Sequence, residues 1–212
     1  MKDKKHIWVV SLIVIAFILA LYFDSYIIQG VTYLKNAILD EFLIGLTYTS
    51  TEIIIFFVIT SFFLWNSNKR KWILPLWFTL LLSSIASFIL KLSIQRPRPF
   101  QQGLMEISSF LVKDSYYAWD FSFPSAQTMA VFCAVPFLIK EFPRLKYMWV
   151  TLAAIVGFSR IYFGFHFLSD VIAGAAIGWM LGALIIKNER ESRFWEKVYW
   201  RIHNKVYDKI VK

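Results

Sequence analysis

Two residues that could do chemistry stand four apart in an otherwise apolar stretch: His166 and Asp170, with Arg160 six positions upstream. The segment reads Ser159-Arg160-Ile161-Tyr162-Phe163-Gly164-Phe165-His166-Phe167-Leu168-Ser169-Asp170. Ionisable groups are costly to keep in a membrane-embedded region, so they mark function by default. On a helix, positions i and i+4 share a face. The spacing therefore predicts that Asp170 accepts the Nδ1 proton of His166. Nε2 is then left unprotonated and nucleophilic, the logic by which a carboxylate orients a catalytic base. A His–Asp pair that only satisfies itself in a bundle core is the competing reading. Two further polar clusters weigh against it.

The first is Lys91-Leu92-Ser93-Ile94-Gln95-Arg96-Pro97-Arg98-Pro99, and the second is Phe123-Pro124-Ser125-Ala126-Gln127-Thr128. Lys91, Arg98 and Arg160 gathered at one membrane level would repel one another, so they need an anion. A tetrahedral phosphate suits them: guanidinium forks bind its oxygens in pairs and lysine adds a point charge. Pro124 before Ser125 predicts a helix start, whose exposed N–H groups favour an anion. The Ser125 hydroxyl then caps that helix or donates to phosphate. Pro97 and Pro99 stop the preceding helix and fix where Arg98 points. Arg96 is expected to face outward into solvent. No cluster of carboxylates suggests a metal site.

These clusters must be positioned by membrane helices. The chain is 58% hydrophobic over 212 residues, well above a soluble domain, which predicts an integral membrane protein. Six apolar segments can be drawn, at 7–23, 48–65, 72–94, 125–140, 147–166 and 168–187, each near the length of a spanning helix. The expected fold is an all-α bundle of six transmembrane helices. The first segment follows a basic start but lacks a small-residue cleavage pattern, so it reads as an uncleaved helix. A single cysteine, Cys133, rules out an internal disulfide.

A net charge of +9 would suit nucleic acid or an anionic membrane surface, and its distribution favours the membrane. The N-terminus, the turns at 69–71 and 140–146, and the tail from Lys187 hold 17 of the 23 lysines and arginines. By the positive-inside rule both termini face the cytoplasm. The three polar clusters then share the outer face of what is expected to be the cell membrane. Residues 1–187 form the membrane domain. In the tail, 188–212, apolar residues from Phe194 to Ile210 recur at three- and four-residue spacing. It reads as a basic amphipathic helix on the anionic inner leaflet. Tyr116, Tyr117, Trp119, Phe121 and Phe123 crowd the loop before Pro124, as interfacial anchors or the lining of a lipid-tail path. A transporter or channel fits poorly, because the polar residues gather at one face instead of lining a path.

Lys91-x6-Arg98-Pro99, then Pro124-Ser125-Ala126-Gln127, then Ser159-Arg160-x5-His166-x3-Asp170 resembles the type 2 phosphatidic acid phosphatase (PAP2) superfamily. Its motifs are KxxxxxxRP, PSGH and SRxxxxxHxxxD, and the first and third match at every defined position. The resemblance implies a lipid phosphatase that needs no metal or other cofactor, with a lipid phosphate or diphosphate as partner; nucleic acid is already disfavoured because a basic helix tethered beside lipid has its counter-ions there. Carried over by position, Lys91, Arg98, Ser125 and Arg160 bind the phosphate. His166 attacks phosphorus to form a phosphohistidine, and Asp170 orients it.

The departure is Gln127, where the family has a histidine that protonates the leaving oxygen. Glutamine hydrogen-bonds but exchanges no proton at neutral pH. Loss of a general acid typically costs ~10²–10⁴-fold. A phosphomonoester must expel an alkoxide, as poor a leaving group as hydroxide (water pKa ~15.7). A lipid diphosphate expels a phosphate whose pKa is roughly 6, and needs little help. Gln127 therefore tilts the expected substrate toward a polyprenyl diphosphate. The alternatives are an impaired homologue that binds phospholipid without turnover, or a phosphotransferase.

Overall fold

The structure, a computed structural model, describes residues 2–49, 52–65, 67–106 and 121–210. Eight α-helices carry these residues, with no strand among them: α1 (Lys2–Thr32), α2 (Ala37–Thr49), α3 (Glu52–Leu64), α4 (Ile73–Ile94), α5 (Ala126–Glu141), α6 (Lys146–Tyr162), α7 (Leu168–Ser192) and α8 (Phe194–Ile210). Short 3₁₀ turns at Ser67–Trp72, Phe100–Gln102 and Pro143–Leu145 join some of them.

Among the described residues three stretches, Ile7–Thr32, Lys69–Ile94 and Leu168–Ser192, are long and apolar enough to cross a membrane, or four if α2 and α3 count as one bent span. Trp8, Leu12, Ile15 and Leu19 stand exposed on α1. Such an apolar surface suits a bilayer and not water. The chain is an integral membrane protein. Helices α5 and α6 have only 16 and 17 residues.

The segment expected at 7–23 continues to Thr32, the one expected at 147–166 ends at Tyr162, and a third is redrawn. The apolar run 48–65 is divided between α2 and α3, and α2 starts eleven residues earlier, at Ala37. Asp40 and Glu41 interrupt hydropathy there and hid the helix. Its start was nevertheless written in the sequence: the Asn36 side chain accepts the Leu39 N–H at 2.9 Å, an N-cap bond. Asp40 is partnered too, accepting the Tyr162 hydroxyl at 2.5 Å.

The tightest packing joins α5 and α7. Gly174, Gly178 and Gly182 recur every four residues along α7 and lie against the α5 backbone. A Cβ at Gly178 would sit 2.2 Å from the Met129 carbonyl oxygen, and one at Gly182 would sit 2.3 Å from that of Cys133. Any larger residue would part the helices, the usual reason for small residues every fourth position in membrane helices. This contact fixes the N-terminus of α5 beside that of α7, where the Ser125 N–H bonds the Asp170 carbonyl at 3.2 Å.

The polar groups sort to opposite ends of the bundle. At the start of α4, Lys69 donates to the Glu141 carbonyl at 2.9 Å, and Lys71 pairs with Glu196 of α8 at 3.3 Å. The Glu196 carboxyl is held below the ordinary carboxylate range, first by a hydrogen bond from Arg193. At the other end of α4 stand Lys91, Arg96 and Arg98, together with the starts of α5 and α7.

Candidate active site

Each site residue occupies a helix end. Helix α4 closes at Ile94, with Gln95 in the left-handed region (φ 51°), two residues before Pro97. Pro99 opens the 3₁₀ turn that follows. The intervening Arg98 is buried, and its Nη1 donates to the Phe165 carbonyl at 3.0 Å. Lys91, in the last turn of α4, donates from Nζ to the Phe121 carbonyl.

Helix α6 delivers Arg160 in its last turn, 3% exposed. Its guanidinium donates to the Ser159 hydroxyl at 3.1 and 3.0 Å, to Gln127 Oε1 and to Thr47 Oγ1. Past Tyr162 the chain reverses through Gly164 (φ 70°), a conformation that favours glycine. The Phe165 and His166 N–H groups both return to the Arg160 carbonyl, at 3.0 and 3.2 Å. The arginine and the histidine are thus tied by main-chain bonds. The Phe165 ring lies between two cations, 5.9 Å from the Arg98 guanidinium carbon and 5.6 Å from that of Arg160.

The His166–Asp170 geometry differs from the expected one. His166 precedes α7, which begins at Leu168, so the pair does not lie on one helix. Nδ1 is 3.9 Å from Asp170 Oδ2, too far for a hydrogen bond. It meets the Ser122 carbonyl at 2.7 Å instead. A carbonyl only accepts, so Nδ1 carries the proton and Nε2 keeps its lone pair. The inferred tautomer stands, with a different group holding it. Asp170 connects to that group: its Oδ2 accepts the Ser122 hydroxyl at 2.5 Å and the Phe167 N–H at 2.8 Å.

Arg96 is a correction. Its guanidinium does not point out into solvent. It donates to Asp170 at 2.7 Å and to Asp24 of α1 at 2.8 Å, and lies 4.0 Å over the Phe167 ring. Two buried carboxylates outweigh hydration of one guanidinium. Sequence reasoning also missed Thr47, Ser122 and Asp24. Asp24 stood one residue past the expected end of the first segment at 23, and only the continuation of α1 to Thr32 places that carboxylate inside an apolar helix.

Ser125, fully buried, shares its hydroxyl with Thr128 Oγ1 at 2.8 Å and makes no side-chain cap bond. Gln127, the second residue of α5, is half-buried against Arg160. Tyr116, Tyr117 and Trp119 lie outside the described residues. Among the described residues no three His, Cys, Asp or Glu side chains group as metal ligands.

Residues 72–194 match the family model described as PAP2 superfamily. The chain is 35% identical over 121 residues to phosphatidylglycerophosphatase B of Bacillus subtilis (strain 168), covering 51% of this chain. That match spans about half of the relative, 54% of its length. Undecaprenyl-diphosphatase BcrC of the same organism is 22% identical over 185 residues, covering 87% of this chain and 92% of the relative. The crystal structure of a transmembrane PAP2 type phosphatidylglycerolphosphate phosphatase from Bacillus subtilis superposes with a TM-score of 0.65 at 26% identity. That superposition covers 87% of this chain and 98% of the other.

Proposed function

Because the chain belongs to the PAP2 superfamily, we propose that it is a lipid phosphatase that works through a phosphohistidine, with a polyprenyl diphosphate as favoured substrate. The observation that carries this is the environment of His166: a protonated Nδ1 held by an acceptor-only carbonyl, beside buried arginines. Lys91, Arg98, Ser125 and Arg160 bind the phosphate oxygens and neutralise charge as it spreads in the transition state. Nε2 attacks phosphorus and the bond to the leaving oxygen breaks. Water then attacks the phosphohistidine and inorganic phosphate leaves. Gln127 hydrogen-bonds near the leaving oxygen without supplying a proton, which suits an anhydride better than an ester. The relatives are named for both chemistries, one for an ester and one for an anhydride.

The test is phosphate release by the purified protein in chelator, with polyprenyl diphosphate, phosphatidic acid and phosphatidylglycerol phosphate compared. Release from the diphosphate well above the two monoesters is expected, unchanged by chelation. Inhibition by chelation that a divalent ion restores would overturn the metal-free mechanism. Binding without release would favour the impaired homologue. Transfer to an acceptor lipid in place of water would favour the phosphotransferase.

Six spans, cytoplasmic termini and an outward-facing site in the cell membrane belong to the same proposal. The basic turns at the end of the bundle away from His166 support it. The membrane domain is 1–187, and the tail lies on the inner leaflet. A cysteine replacing exposed Lys35 should react with an impermeant reagent on intact cells, and one replacing exposed Arg70 should not. The native Cys133 is buried and stays silent. The reverse labelling pattern would invert the topology.

A further inference from the structure

Asp24 is a carboxylate in the C-terminal third of the apolar helix α1, 2% exposed. Burial of that group is costly unless every oxygen is satisfied. Its partners converge on a single place. Oδ1 accepts the Ser169 N–H at 3.1 Å, in the first turn of α7. Oδ2 pairs with Arg96 Nη2 at 2.8 Å and accepts the Ser169 hydroxyl.

Arg96 carries the connection onward through Nη1, the guanidinium face and the main-chain carbonyl. Nη1 donates to Asp170 Oδ1 at 2.7 Å and to Ser169 Oγ at 2.6 Å. Its guanidinium stacks on Phe167, the residue after His166. Its main-chain carbonyl accepts the Ser122 N–H at 2.7 Å. Ser122 is therefore gripped twice, by the Arg96 backbone and by Asp170 through its hydroxyl. The carbonyl of that residue is the group that holds His166 Nδ1.

We infer that Asp24 and Arg96 are positioning residues for the nucleophile, acting through Asp170 and Ser122, which rests on the reading of His166 as the phosphate acceptor. Two carboxylates around one guanidinium leave Arg96 no freedom to swing toward the substrate phosphate, so it stays outside the cradle. The same arrangement fixes the Ser122 carbonyl against the imidazole. Asp24 lies outside the residues matched by the family model, so α1 contributes to the centre from beyond that region.

A purely structural ion pair would lower the amount of folded protein and leave the turnover of each folded molecule alone. A positioning role lowers kcat itself. The full-length protein in detergent is compared with Asp24→Asn, Asp24→Glu, Arg96→Gln and the Asp24→Asn/Arg96→Gln pair. The readouts are kcat and KM on the best substrate, per folded molecule, and the midpoint of thermal unfolding.

Asp24→Asn is expected to lower kcat on the order of 10–100-fold, the scale of a small misplacement of a reacting group, with KM changed by less than about threefold. Asp24→Glu should recover part of that loss. The double variant should be no worse than the poorer single one, because the two residues act as a unit. Wild-type kcat in folded Asp24→Asn overturns the inference, as does a loss of the same size in Asp24→Glu. Additive losses in the pair overturn it too. A wild-type protein that turns over no lipid phosphate sinks the phosphatase reading first, and this inference with it.

Discussion

His166→Ala should abolish phosphate release, by on the order of 10⁶-fold, as when a covalent nucleophile is removed. No other histidine can replace it: His6 and His203 are the remaining two and lie near the chain ends. Asp170→Asn should behave differently. Where an orienting carboxylate alone sets the histidine tautomer, its loss costs about 10⁴-fold. Here the Ser122 carbonyl sets the tautomer at 2.7 Å, and Asp170 stands 3.9 Å from the ring. The loss should therefore be smaller, roughly 10²-fold, from a loosened Ser122 and a charge removed near the imidazolium-like intermediate. Single-turnover labelling with a radioactive substrate reads the step directly. An acid-labile, base-stable phosphoenzyme should form in the wild type and be absent in His166→Ala. Retained turnover in His166→Ala would end the phosphohistidine mechanism. An Asp170→Asn protein as dead as His166→Ala would mean that the carboxylate does more than steady Ser122.

Gln127→His should raise monoesterase activity more than diphosphatase activity. Gln127 touches Arg160, so the position borders the proposed phosphate cradle. A histidine there supplies a proton donor beside the leaving oxygen. An alkoxide gains much from that proton and a departing phosphate gains little. The expected gain on phosphatidic acid is on the order of 10²-fold or more, with a smaller change on polyprenyl diphosphate. The ratio of the two kcat/KM values is the measurement, since it cancels protein yield and detergent effects. Equal gains would assign Gln127 to a step common to both substrates, such as hydrolysis of the phosphohistidine. No gain on either substrate would remove position 127 from the leaving-group side.

Hydropathy and charge announced the membrane class, because the bilayer imposes length and apolarity on any span. They failed at α2, where Asp40 and Glu41 break the pattern. Asp40 is tolerated through a tertiary partner, Tyr162, 122 residues distant, while Glu41 is exposed. The cations proposed to bind phosphate stood out for a simple reason: arginine and lysine have few uses at helix ends inside an apolar chain, and an anion is a main one.

Arg96 shows the limit. By type and position it matches Arg98 closely: the same residue, the same loop, each before a proline. Arg98 bonds the backbone beside His166, while Arg96 turns to Asp24 and Asp170. Only the approach of α1 and α7 separates them. The sequence by itself determined which groups could hold and attack a phosphate, since that depends on residue chemistry. The tertiary structure decided who orients His166. A spacing of four predicts a bond only while the helix continues through both residues, and here α7 begins after the histidine. The Ser122 carbonyl occupies the Nδ1 position because the tight glycine contact between α5 and α7 brings their starts together. The glycine repeat marks a close-packing face of α7, but only the assembled fold shows that α5 is the helix seated on it.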